Sequence, residues 1–131
     1  MWPFRSGQDA GERGERLARR YLRRMGCRIL AANYRCPCGE ADIIALDPST
    51  LPALGAETLA FVEVKTRGPN SVVCPEAAVD AAKRRQIIRV AHYYLACHTQ
   101  GQYPVRYDVV AVVLRPGLKP EIRHLPGAFV E

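Results

Sequence analysis

Apolar residues recur with two different periods along this chain, and the changes of period mark out its elements. Over residues 9 to about 26, Leu17, Ala18, Tyr21, Leu22 and Met25 repeat at helical spacing, which predicts a helix. Asp9 followed three residues later by Glu12 suits a capping box, and Gly26 suits a C-terminal stop. Residues 28–35 and 40–46 are rich in Ile, Leu and Tyr and flank Cys36-Pro37-Cys38-Gly39, so they read as a hairpin. Residues 47–57 carry Pro48, Pro52 and Gly55 and read as a loop, and residues 58–66 return as a third strand broken by Gly68, Pro69 and Asn70. A long helix is expected from about Pro75, a residue suited to a first turn, to about His98, with Ala78, Ala81, Ile88, Ala91 and Leu95 among its apolar positions. Residues 105–114 form the clearest buried strand, and residues 122–125 an optional edge. The order is α-β-β-β-α-β, with no repeats or low-complexity segment.

At 131 residues and 48% hydrophobic, the chain supports one domain with a real core. We expect a flexible arm over residues 1–8, with Trp2 and Phe4, and a single domain over 9–131. Arg5, Asp9, Glu12, Arg13, Glu15 and Arg16 leave no apolar segment for a secretion signal, and no apolar run approaches the ~18 residues that span a bilayer. The expectation is a cytoplasmic protein with no membrane partner. Five cysteines, an odd number at irregular spacing, argue for reduced thiols over a disulfide framework. Net charge is +6, and seven arginines fall between Arg13 and Arg28, with a second group at Lys83, Arg84, Arg85 and Arg89. Such groups suit a polyanion, although solvated helix faces explain each one separately.

Charge inside the apolar strands changes the picture further. In Phe61-Val62-Glu63-Val64-Lys65-Thr66-Arg67, Glu63 and Lys65 share one face about 7 Å apart while Val62 and Val64 face the other layer. If this strand pairs with Gly39-Glu40-Ala41-Asp42-Ile43-Ile44, Asp42 joins them. Two carboxylates brought close on a partly buried face oppose each other's ionisation unless a cation neutralises them, and a divalent metal is one such cation. Glu15 borders the buried face of the first helix, an odd place for a glutamate; alone it reads as complementing the helix N-terminus and pairing with Arg19. Glu40 shares a strand face with Asp42 and ranks below both Glu15 and Glu63 as a second carboxylate.

Gly14-Glu15 with Ala18 and Tyr21-Leu22, then Gly26, Asn33-Tyr34-Arg35, Gly39-Glu40-Ala41-Asp42 and the strand from Phe61 to Arg67 resemble the bacterial YraN family, over about residues 9–113. That family is placed in the PD-(D/E)XK, or restriction-endonuclease-like, superfamily. The resemblance implies an α/β fold with an αβββαβ core, a mixed sheet flanked by helices, and metal ligands gathered at one sheet edge. Carried over by residue, Glu15 matches the helix carboxylate, Asp42 the central metal-binding aspartate, and Glu63 and Lys65 the acidic residue and lysine of the third strand. It implies a Mg²⁺-dependent (or Mn²⁺-dependent) endonuclease acting on DNA. By analogy with archaeal Holliday-junction resolvases, branched DNA would be the substrate, damaged DNA being the other candidate, and a homodimer is expected only if the junction analogy holds.

The chemistry is consistent with those roles. Phosphodiester hydrolysis needs an activated water and a way to stabilise charge on phosphorus, and Mg²⁺ held by a few carboxylates contributes to both. Asp42 and Glu63 would be its main ligands, with the Val64 carbonyl an additional one and Glu15 holding a ligand or a bound water. Lys65 would orient the attacking water or stabilise the transition state. Lys83, Arg84, Arg85 and Arg67 would contact the nucleic-acid backbone, with the first three outside the site. Ala41 replaces the isoleucine usual in the family's Gly-Glu-Ile-Asp, on the opposite face from Asp42, where it affects packing. The alternatives are a nucleic-acid-binding module without turnover and a salt-bridged sheet in which Lys65 satisfies both carboxylates without metal. Cys36 and Cys38, with Cys27 or Cys74, are a weak zinc signal, and His92, His98 and His124 have no partner at ligand spacing.

Overall fold

The computed structural model describes residues 7–70, 79–99 and 102–131. The first helix, α1 (Gly7–Arg24), buries Ala10, Gly14, Ala18 and Leu22, one residue per turn on a face of mostly small side chains that lets the helix lie close to the sheet. It starts two residues before the expected point, so Asp9 sits within the first turn, where it complements the helix dipole, and is not the cap. Gly26 does end the helix: its N–H bonds to the Arg23 carbonyl and the Cys27 N–H to the Leu22 carbonyl. Met25, expected on the apolar stripe, lies past the last turn and is 60% exposed.

Strands β1 (Arg28–Cys36) and β2 (Gly39–Asp47) form the expected hairpin. Residues 47–57 are more regular than a plain loop. Asp47 accepts from the Ser49 N–H to open a 3-10 turn (Pro48–Thr50), which runs into a single-turn helix, α2 (Leu51–Leu54). Strand β3 (Thr58–Arg67) follows, then helix α3 (Ala81–His98), β4 (Val105–Val113) and β5 (Glu121–Phe129). Helix α3 begins at Ala81 because the Asp80 side chain accepts from the Lys83 N–H as its cap, and the expected start at Pro75, with Ala78, lies outside the described residues. Strand β5 is a full strand and not a short edge, held by pairing from Tyr107↔Phe129 to Val113↔Glu121.

The sheet runs β1-β2-β3-β4-β5, with β3 and β4 parallel across the α3 crossover and every other pair antiparallel. Helix α1 covers one face, where Ile43, Ala45, Ala60, Val62, Val110 and Val112 meet Ala18 and Leu22. Helix α3 covers the other, where Ile44, Leu59, Phe61 and Val109 meet Ile87, Val90, Ala91 and Tyr94. The central strand β3 is therefore buried on both faces, which is why it reads as an apolar run. No helix among the described residues is long and apolar enough to cross a membrane.

At the end of the sheet where β3 begins, Arg106 donates through Nε and Nη2 to Asp108 at 2.8 and 3.0 Å and reaches Asp47 at 2.9 Å. The His124 ring pairs with Asp108 at 2.9 Å, and the Gly127 N–H donates to it at 3.0 Å. This network ties β2, β4 and β5 together.

Close approach of α1 to β3 is demanded at one point. A Cβ on Gly14 would stand 1.9 Å from the Thr66 hydroxyl oxygen. Gly14→Ala is expected to cost about 1–3 kcal/mol by overpacking, read as a lower urea midpoint. Thr66→Ala in the same chain should recover part of the loss, and an unchanged midpoint in the single variant would contradict this packing.

Candidate active site

Strands β2 and β3 pair only from Ile43↔Val62 to Asp47↔Thr58, and beyond Ile43 and Val62 they part. The Val64 N–H, beyond the last backbone pair with β2, donates instead to the Asp42 side chain, at Oδ2, at 2.8 Å. In a strand, the N–H and C=O of one residue point to the same edge. The Val64 carbonyl therefore also faces the gap between the strands.

Glu63 is 5% exposed on the α3 face of the sheet. Its Oε1 is 3.6 Å from Lys65 Nζ and 4.0 Å from Lys83 Nζ, while its Oε2 is buried without a hydrogen-bond donor. The Asp42 carboxylate lies within hydrogen-bonding reach of Glu63, and two ionised carboxylates cannot satisfy each other. Burial, and then the Asp42 charge, push Glu63 up to about 7, with Lys83 and Lys65 opposing. Burial also raises Asp42, against the Val64 N–H and the same two lysines. Glu15 is raised by burial and then by the Asp42 charge, with Arg19 opposing.

The structure thus brings Asp42, Glu63 and Lys65 together and points the Val64 carbonyl at the same gap. Glu15 approaches from the α1 side, next to Gly14 against Thr66, whereas Glu63 and Lys65 project from the α3 side. It lines a cleft of about 580 Å³ with Glu12, Asn33 and Arg35. Among the described residues, no three acidic, His or Cys side chains converge closely enough to form a metal-holding group, so Glu15 does not close a three-acid cage. Glu40 is drawn away by an ion pair with Arg35 at 3.4 Å.

The basic triplet divides. Lys83, expected outside the site, points at Glu63. Arg84 donates to the Val79 carbonyl and lies over the Phe129 ring at 5.4 Å, while Arg85 is exposed. Arg67 is exposed and donates to the Thr66 carbonyl. Sequence reading named Lys83 as a backbone contact outside the site, and missed Gln86, because it set the α3 stripe one residue out of phase. The observed stripe of Ile87, Val90, Ala91 and Tyr94, extended one turn back, falls on Lys83. Gln86, one turn on, packs against Gly39, whose absent Cβ would stand 2.6 Å from the Gln86 Cδ, and its Oε1 is buried without a donor. Cys27 is buried, Cys36 and Cys38 pack beside α3, Cys97 is exposed, and Cys74 lies outside the described residues.

A raised carboxylate binds its proton more tightly folded than unfolded. Its contribution is therefore favourable at low pH and is lost as pH rises from about 4.5 through about 7. Glu63→Gln keeps the shape and lets an amide donate to Asp42. In metal-free buffer at pH 8 it is expected to raise unfolding stability by on the order of 2 kcal/mol, with the advantage shrinking at pH 5. A lower urea midpoint at pH 8 would show that the Glu63 charge supports the fold.

Comparison with known proteins finds sequences of similar length that match this chain over most of its residues. The profile described as Uncharacterised protein family UPF0102 matches residues 14–112, which include Glu15, Asp42, Glu63, Lys65 and Lys83. A UPF0102 protein of Nocardia farcinica is 43% identical over 93% of this chain and 90% of its own, and one of Syntrophotalea carbinolica is 46% identical over 91% and 89%. A third, from Geotalea uraniireducens, is 42% identical over 93% and 90%. The family match over residues 14–112, and identities of 42–46% over more than nine-tenths of the chain, show that the protein belongs to the UPF0102 family, also called YraN.

Proposed function

We propose that the protein is a metal-dependent nuclease that hydrolyses phosphodiester bonds in DNA at the gap between β2 and β3. The observation that carries this reading is the buried Glu63 Oε2, an acceptor without a donor, beside the half-buried Asp42 carboxylate. Native folds leave few buried polar atoms unpaired, and two partly buried carboxylates in contact are costly unless a cation stands between them. The donor set fits a hard divalent cation. Asp42, Glu63 and the Val64 carbonyl would hold Mg²⁺ or Mn²⁺, with remaining positions left to water and substrate, and Glu15 would steady a bound water from the α1 side.

Bound there, such a cation supplies a water of lowered pKa and charge to offset that developing on phosphorus. The chain's own residues do the rest. Lys65 and Lys83 approach the same carboxylate from β3 and α3. With Glu63 engaged by a cation, both ammonium groups would be free to meet phosphate oxygens or orient the attacking water. The Val64 N–H fixes the Asp42 carboxylate and so sets the position of the whole pair.

Cleavage of labelled four-way junction, flap, duplex and single-stranded DNA with Mg²⁺ or Mn²⁺ tests this directly. Asp42→Ala and Lys65→Ala should abolish cutting, and Lys83→Ala should lower it by roughly 10²-fold or more. Binding of DNA with no metal-dependent cutting, unaffected by Asp42→Ala, would leave a nucleic-acid-binding module on a nuclease-like scaffold.

A further inference from the structure

Away from the gap, the outer side of α1 carries Arg13, Arg16, Arg20, Arg23 and Arg24, none of which has a carboxylate within ion-pairing distance among the described residues. On the flank of α1 that faces β5 this charge borders a groove of about 310 Å³, lined by Leu17, Arg20, Tyr21 and Arg24 on one side and Lys119, Pro120 and Ile122 on the other. Its lining holds three cations and no carboxylate. The nearest acid on β5, Glu121, is already held by Arg115 and Arg123. Between the cations the lining is apolar, since Leu17, Tyr21 and Ile122 pack on the α1-side core.

Two features of this groove select its occupant. A small inorganic anion would use the cations and leave the apolar lining wet. A paired duplex would meet the cations but hide its base faces. A strand with unpaired bases matches both, with phosphates toward Arg20, Arg24 and Lys119 and a base against the apolar wall, where stacking on an aromatic adds affinity for any base. Arg20 and Arg24 are one turn apart, about 6 Å along the helix, a row suited to a repeating anion.

Position supports the same reading. Parallel pairing sets Arg67 beside Val113, and Val113 pairs with Glu121, so the β4–β5 turn that carries Lys119 lies at the same end of the sheet as Lys65 and the gap. From that end the groove runs along α1 away from Glu15. We infer that this groove holds an unpaired strand of the nucleic acid whose phosphodiester enters the gap. The substrate class is then DNA with a single-stranded segment beside the scissile phosphate. This inference rests on the nuclease reading, and it moves the main backbone contact from α3 to α1 and β5.

Fluorescence anisotropy without divalent metal, using a labelled single strand and a blunt duplex of the same sequence, tests it. Arg20→Glu/Arg24→Glu and, separately, Lys119→Glu should weaken single-strand binding at least tenfold and flatten its salt dependence, with a smaller effect on the duplex. Arg85→Glu, the same two-unit charge change as Lys119→Glu but on the exposed side of α3, should leave single-strand binding nearly intact. Tyr21→Leu, checked for unchanged thermal melting, should cost several-fold in single-strand affinity with the salt slope unaltered. Equal losses on both DNAs, or a larger loss in Arg85→Glu, would overturn the groove assignment. Cutting on the same substrates separates the two ideas. A protein that binds through the groove and never cuts loses the nuclease reading alone, and one that cuts while groove variants bind and cut undiminished loses the groove alone.

Discussion

Where β2 leaves β3, the Val64 N–H takes a carboxylate oxygen as its acceptor in place of a backbone carbonyl, and the rest of the candidate site depends on that exchange. A buried N–H must find a partner, and Asp42 is the partner supplied. The bond keeps the strands apart without leaving an orphaned donor. It fixes Asp42 at the mouth of the gap and leaves the Val64 carbonyl facing the same way. Strand alternation then puts Glu63 and Lys65 together on the α3 face, and α3, started by its Asp80 cap, delivers Lys83 to the same carboxylate.

The two ends of the sheet use the same residue types to opposite effect. At the far end, burial works against the charge on Asp108, yet bonds from His124, Arg106 and Gly127 outweigh it and hold the carboxyl below the usual range. Asp47 is likewise held low against burial by Ser49 and Arg106. At the gap, burial wins and both Asp42 and Glu63 are raised. One end is a closed network that ties three strands, and the other keeps a charge conflict that protein groups alone do not resolve. Conflicts of that kind concentrate at functional sites, where a ligand completes the balance.

Much of this was legible in the chain itself. The alternation around Glu63 and Lys65, the Cys-Pro-Cys-Gly hairpin and the apolar run of β4 depend on local pattern, and local pattern locates them. The Asp42 position follows from the motif, but its bond to Val64 depends on where pairing stops, which no short window records. Lys83 was hidden by a one-residue error of helical phase, enough to turn a side chain by about 100° from surface to site. The Arg106–Asp108–His124 network joins residues brought together only by the β4–β5 register, so His124 looked like an ordinary edge residue. Glu15 was correctly marked as an odd glutamate, but only the layering of α1 against the sheet shows that it comes from the side opposite Glu63.

We propose that the Asp42–Glu63 pair is built to hold a divalent cation. Titration calorimetry with Mn²⁺ near neutral pH tests it without any substrate. Saturable heat is expected in the wild-type protein, lost in Asp42→Ala and retained, weakened, in Glu15→Gln. Wild-type heat no greater than that of Asp42→Ala would contradict it and leave the gap a salt-bridged pair of carboxylates satisfied by Lys65 and Lys83.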